Sequence, residues 1–161
     1  MIPQPIIQPG ITANRSMPPG VIIPELVYDD LDAAVAWLCN ILGFTERLRI
    51  GNHRSQLVFG EAAIVAVARH TKDTPAPPGS IRSESPRSEK THSMMVQVED
   101  VDRHYEHVKQ CGGKITNPPT DYPYGERQYT VEDIAGRTWT FSQSIADIDP
   151  REWGGVVPHN H

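Results

Sequence analysis

Cysteine, aromatic residues and positive charge are all in short supply in this chain. Only two of its 161 residues are cysteines, Cys39 and Cys111, and both fall near the ends of segments with helical patterning. That excludes a small fold stapled by many bridges, and a reduced intracellular protein accounts for the pair at least as well as one disulfide would. Lysine and arginine number 15 against 20 aspartates and glutamates. The resulting charge of −5 leaves no basic footprint, so nucleic acid is not an expected partner. No apolar run approaches the ~18 residues of a membrane-spanning helix, so no membrane association is expected. The first twenty residues have neither a basic start nor an apolar stretch, so no signal peptide is expected and the cytoplasm is the expected compartment.

Proline, by contrast, is abundant, with 15 residues set against a hydrophobic fraction of 38%. The length suits one domain with a sizeable core and falls short of two ordinary ones. Pro3, Pro5, Pro9, Pro18 and Pro19 make residues 1–20 an extended arm that either packs on a partner subunit or hangs free. Residues 71–90 are rich in Pro, Ser, Arg and Glu without apolar periodicity, and read as a mobile linker. Residues 146–161 read as a terminal turn and tail. There Asp149 and Pro150 supply the cap and first position of a short helix, and Trp153 is expected to anchor it by burying its ring.

The remaining sequence says nearly the same thing twice. Leu26 to Asp32 leads into an apolar-periodic stretch that ends at Leu42 and Gly43, and Val96 to Asp102 leads into one that ends at Gly112 and Gly113. In this alignment Asp30 matches Asp100, Asp32 matches Asp102, Leu38 matches Val108 and Gly43 matches Gly113. Asp30 stands where a helix N-cap belongs, Asp32 puts negative charge in the first turn, and Gly43 tolerates the left-handed backbone of a helix stop. Strands are expected at 21–28, 45–50, 53–59 and 63–68, with Gly51-Asn52 and Gly60-Glu61 as hairpin turns. The second copy predicts strands at 91–98, 114–116, 127–132 and 138–143. Two similar halves in one small chain create a shared cleft.

This βαβββ plan resembles the vicinal-oxygen-chelate superfamily, which includes glyoxalases, extradiol dioxygenases, fosfomycin-modifying enzymes and bleomycin-resistance proteins. The resemblance rests on Tyr28 to Asp32, Trp37-Leu38, Leu42-Gly43-Phe44, and the Asp133-to-Gly136 turn that leads into Trp139 and Phe141. Within the superfamily the likeness is to glyoxalase/bleomycin-resistance-like proteins, which Tyr124 to Tyr129 also suits. It implies an α+β fold: two tandem βαβββ modules, residues 21–70 and 91–145, forming curved mixed sheets around a ligand cup. It also implies a homodimer.

Enzymes of the superfamily usually hold a divalent metal in the cup through His, Glu or Gln. Counting from the repeated aspartates and from Gly136 places the four corners at Ile23, Ser93, Thr140 and Ile64 or Val65. None of these is a good ligand, because alkyl groups cannot coordinate and neutral hydroxyls bind such ions poorly. No metal or other cofactor is therefore expected, and no catalytic residue is assigned. His92 becomes a ligand only if a register slip turns it inward in place of Ser93.

Strand alternation sets the lining, since residues two apart share a face. Ile23, Glu25 and Val27 are expected to face the cup, as are Ser93, Met95 and Gln97, and Thr138, Thr140 and Ser142. Leu26, Tyr28, Trp139 and Phe141 are expected to pack beneath the helices. Glu25 either contacts ligand or pairs with Arg54 or Arg127. His53 and Arg54 form either a solvated edge or a rim of the pocket. Tyr122, Tyr124 and Arg127 fall on or beside a loop, where binding groups gather, with Arg127 facing a ligand carboxylate or stacking on a ring. His104 and His107 have helical metal-ligand spacing without an acidic neighbour, and read as a solvent-facing helix surface.

The expected function is metal-free binding of a small aromatic or amphipathic compound. The alternative is a metal-dependent, glyoxalase-like lyase, isomerase or dioxygenase that uses His92 and Glu25.

Overall fold

Two aspartates start the two helices. In the computed structural model, which describes residues 14–69 and 92–158, Asp30 accepts from the backbone N–H of Ala33 at the head of α1 (Leu31–Trp37), and Asp100 accepts from that of Arg103 at the head of α2 (Val101–Gln110). Each cap satisfies an otherwise orphaned donor and contributes about 1 kcal/mol. The helices end differently. α1 widens into a π-helical turn at Leu38–Leu42, an insertion that carries its left-handed stop to Gly43 (φ 94°). α2 stays regular, and its left-handed residue is Gly112 (φ 83°), one place before the sequence match Gly113.

Each helix packs on a mixed four-stranded sheet. Module 1 has β1 (Glu25–Tyr28), β2 (Thr45–Ile50), β3 (Arg54–Phe59) and β4 (Ala62–Ala68), in the order β1-β4-β3-β2 with β1 parallel to β4. Module 2 has β5 (Met94–Gln97), β6 (Lys114–Tyr122), β7 (Glu126–Glu132) and β8 (Thr138–Ser144), in the order β5-β8-β7-β6. The parallel pair at one edge and the antiparallel meander beside it repeat the same topology in both modules.

Both first strands are shorter than their β-rich sequence suggests, beginning at Glu25 and Met94. β6 is longer, running through Pro118 and Pro119. Proline cannot donate to a ladder, but β6 lies at the sheet edge, and the register shifts between Ile115 and Thr120 accommodate the pair. A short 3-10 turn at Pro150–Trp153 follows, capped by Asp149. Trp153 is still 41% exposed and meets Tyr124 edge-on at 5.6 Å, so it does not bury itself as an anchor. The linker at 71–90 and residues 1–13 of the arm lie outside the described residues.

The helix sides of the two modules share one core. Leu26, Tyr28, Leu38, Leu57 and Ile64 join Val101, Val108, Tyr129, Trp139 and Phe141 in a single buried cluster. Phe44 meets Trp139 edge-on at 5.7 Å. Burying a Leu or Phe side chain contributes roughly 1.5–3 kcal/mol, so this junction is a main source of stability. With the helices between them, the sheets turn their other faces outward.

A polar hub sits inside the junction. Asp133 Oδ2 accepts from the Tyr28 hydroxyl at 2.7 Å and Trp139 Nε1 at 3.0 Å, while Oδ1 accepts from the N–H groups of Ala135 and Arg137 at 2.9 Å each. The buried Arg137 guanidinium pairs with Asp133 at 3.4 Å, donates to the Val27 carbonyl at 3.3 Å and lies over the Tyr28 ring. Burial and then the Asp133 charge push the Tyr28 hydroxyl well above the usual phenol range, so it remains a donor.

Candidate functional site

The outward face of module 2 is assembled by register. Met95 lies beside Thr140 and Gln97 beside Ser142 across the parallel pair. Across the antiparallel pairs Thr140 opposes Thr130, Ser142 opposes Gln128, and Glu126 opposes Tyr122. Partners directly opposite share a face, so hydroxyl, amide and thioether groups line one continuous surface. The expected alternation in β5 and β8 holds: Trp139 and Phe141 are fully buried, while Met95 is 65% exposed.

Neighbouring groups on this face hold one another. The Thr130 and Thr140 hydroxyls are 3.3 Å apart. Ser142 Oγ donates to Glu126 Oε1 at 2.6 Å, and Gln128 Nε2 donates to the same oxygen at 3.1 Å. Asn117 donates to the Tyr122 hydroxyl at 3.3 Å. At one end Tyr122 stacks on Tyr124, with ring centroids 5.3 Å apart and planes within 10°, and Trp153 meets Tyr124 edge-on. The result is a polar floor, half-exposed except at the buried Ser142, with an aromatic end wall. Glu126, Gln128 and Thr130 were not singled out from sequence. Their alternation, in phase with Thr138, Thr140 and Ser142 through the Asp133-to-Gly136 turn, is the signal that would have placed them.

Arg127 points elsewhere. One residue out of phase with Glu126 and Gln128, it binds Asp121 at 2.6 Å and Asp102, in the first turn of α2, at 2.9 Å. The carboxylates beside it, Asp121 first, keep the guanidinium firmly charged, pushing its pKa further up. The expected grouping of Arg127 with Tyr122 and Tyr124 at one rim is therefore corrected, because strand alternation sends it to the helix side.

Module 1 presents a different surface. Arg54 pairs with Glu25 in a partly buried bridge, which selects between the two partners expected from sequence. His53 sits half-buried in the turn before β3. Val65, Val67 and Gln56 are nearly inaccessible, at 2%, 1% and 3% exposure, although they lie on the face away from α1. Their cover is the chain itself. Gln56 Nε2 donates to the Ser16 carbonyl at 2.7 Å, Arg47 donates to the Arg15 carbonyl at 3.0 Å, and Pro18 is buried.

His104 is also corrected. It lies in the junction, with its ring 4.1 Å from Phe141. Nε2 donates to the Leu42 carbonyl at 2.8 Å, which leaves Nδ1 to accept from the Tyr129 hydroxyl. Burial lowers its proton affinity from the ordinary histidine value.

The model of the Glyoxalase/Bleomycin resistance protein/Dioxygenase superfamily matches residues 21–141. The chain belongs to this superfamily. Among solved structures it is similar to TioX from Micromonospora sp. ML1, at 31% identity over 76% of this chain and 97% of that one, with a TM-score of 0.64. It shares its fold with a lactoylglutathione lyase from Agrobacterium tumefaciens, at 18% identity over 85% of this chain and 98% of that one, TM-score 0.61. The fosfomycin resistance protein FosX of Listeria monocytogenes also has this fold, at 18% identity over 79% and 94% of the two chains, TM-score 0.57. No curated protein matches this chain.

Superfamily membership raises the question of a metal ion, and the residues at the expected corners do not fit one. Val65 is buried opposite Glu25, which is itself committed to Arg54. The Thr140 hydroxyl is engaged by Thr130. Among the described residues no three His, Cys, Asp or Glu side chains converge as a metal site. His92 lies exposed ahead of β5.

Proposed function

We propose that this superfamily member binds a small organic compound, aromatic or amphipathic, on the outward face of module 2 without using a metal ion, and that a second copy of the chain completes the cup. One observation supports this most directly. The face is wide, rich in hydroxyl and amide groups, charged only at Glu126 and at the Lys114–Glu132 ion pair beside Thr138, and ends in the Tyr122–Tyr124 stack. Such a mixture of an apolar wall and a few placed polar groups suits recognition of a compact molecule by shape and hydrogen bonds. Met95 supplies an adaptable apolar contact at the opposite edge. Gln97, Thr138 and Thr140 offer donors and acceptors between, while Glu25, His53 and Arg54 belong to the module that a second copy would bring. The neutral polar groups would give orientation and the aromatic wall affinity. No described helix is long and apolar enough to cross a membrane.

The test is a thermal-shift screen of small aromatic compounds on the full chain, followed by titration of the hits. Binders should lose about fivefold in affinity on Tyr124→Ala, the scale of one stacking contact, and should perturb the amide signals of Thr130 and Thr140. A tight, one-per-chain calorimetric signal with Zn2+, Mn2+ or Ni2+ would sink the metal-free reading. Hits indifferent to Tyr124→Ala and Thr140→Val would sink the assigned face.

A further inference from the structure

The burial of module 1's outer face is the least expected feature of the molecule. A sheet with one helix on one side leaves its other side wet unless something lies on it. In module 2 that side is open apart from Ser142, which is 3% exposed, whereas Met95 is 65% exposed. In module 1 Ala63, Val65 and Val67 are each 5% exposed or less on the corresponding side. The described segment that reaches this side is residues 14–24, whose Pro24 carbonyl also extends the β1 ladder by accepting from Val65 at 2.9 Å.

The grip on this segment is built from the sheet. The register shift between Glu46 and Leu48 leaves Arg47 without a strand partner, and its guanidinium reaches over the face. There it donates both to Gln56 Oε1 and to the Arg15 carbonyl. Gln56 uses the other end of its amide to donate to the next carbonyl, that of Ser16, at 2.7 Å. Two adjacent main-chain carbonyls are thus held by two linked side chains, one of them buried among valines. A glutamine buried in apolar surroundings needs such partners, since an unmet donor there is costly.

We propose that residues 14–24 are a built-in occupant of module 1's outer face, a tethered cover that must leave before this half of the cup can receive a ligand. Once exposed, the face offers an apolar floor with two donors, from Arg47 and Gln56, that would pair with carbonyl oxygens of the incoming compound. This rests on the reading that the outer faces take the ligand. The cover itself is tested without one.

The Arg15–Ser16 bond is a trypsin site whose carbonyl is one of those held, so its cleavage reports release of the cover. On the full chain, Gln56→Leu and Arg47→Met should each speed cleavage at Arg15 by roughly tenfold, because cutting tracks the open population. Cleavage at other exposed basic residues should not change. Equal rates at Arg15 in the parent and both variants would overturn the proposal. A chain lacking residues 1–20, shown folded by circular dichroism, should bind 8-anilinonaphthalene-1-sulfonate more strongly than the full chain. A peptide of residues 14–24 added in excess should reverse the gain. Unchanged dye binding, or no effect of the peptide, would equally overturn it. Failure of these assays leaves the module 2 site standing, whereas failure of the compound screen alone leaves the cover standing.

Discussion

Modules 1 and 2 share strand order, parallel edge, aspartate cap and the acid at the second helical position, yet their outer faces have opposite characters. Even the ion pairs of that acid agree, Asp32 with Arg49 at 2.6 Å and Asp102 with Arg127 at 2.9 Å. Val65 and Thr140 occupy equivalent positions, each central in the strand paired with the module's first strand. One is a buried valine under the arm, and the other a half-exposed threonine on an open floor. The helix sides have stayed alike because each must fill a common core. The outer faces were free to diverge, one becoming a seat for the chain's own arm and the other a polar surface.

The largest expected effect breaks the junction that the modules share. Asp133→Ala leaves the Arg137 guanidinium buried without its carboxylate, and should lower unfolding free energy by about 3–5 kcal/mol in urea denaturation. A loss below 1 kcal/mol would mean that the hub contributes little. The next prediction sets the two outer faces against each other. Val65→Ala should cost about 2 kcal/mol, whereas Thr140→Ala, removing a half-exposed side chain, should stay within about 0.5 kcal/mol. Equal costs would erase the distinction between a covered and an open face.

Substitutions at the caps should show the opposite pattern, a similarity. Asp30→Ala and Asp100→Ala should each lose about 1 kcal/mol, because both side chains accept the same kind of first-turn N–H bond.

The smallest effect is a pH dependence. His104 titrates below the ordinary value of 6.5 in the folded protein, chiefly because burial disfavours its charge. The unfolded chain therefore takes up the proton first, so this histidine's contribution is intact above about pH 6.5 and is lost as pH falls below that value toward the folded one. His104→Gln should flatten the change in melting temperature between pH 7 and 5. An unchanged slope would place the titrating group elsewhere.

The repeat, both caps and the hairpin glycines could be read in advance because each is a short-range arrangement whose partners lie within a few residues. Strand alternation also placed Met95, Gln97, Thr138 and Thr140 on one face, and Trp139 and Phe141 on the other, since the period of two holds wherever a strand is regular. The same rule would have turned Arg127 to the helix side. Its expected grouping with Tyr122 and Tyr124 rests on nearness to one loop, whereas the alternation of β7, which runs from Glu126, separates Arg127 from them. His104 escaped because its surroundings are Leu42, Tyr129 and Phe141, residues from another element and from another module.

By itself, then, the sequence determined two capped helices, their glycine stops and the alternating strands, all matters of backbone geometry and local hydrogen bonding. Which faces met, which arginine Glu25 received, and which outer surface the arm would cover depended on groups distant along the chain. Only the folded arrangement could decide these, because burial and pairing are properties of what lies alongside in space.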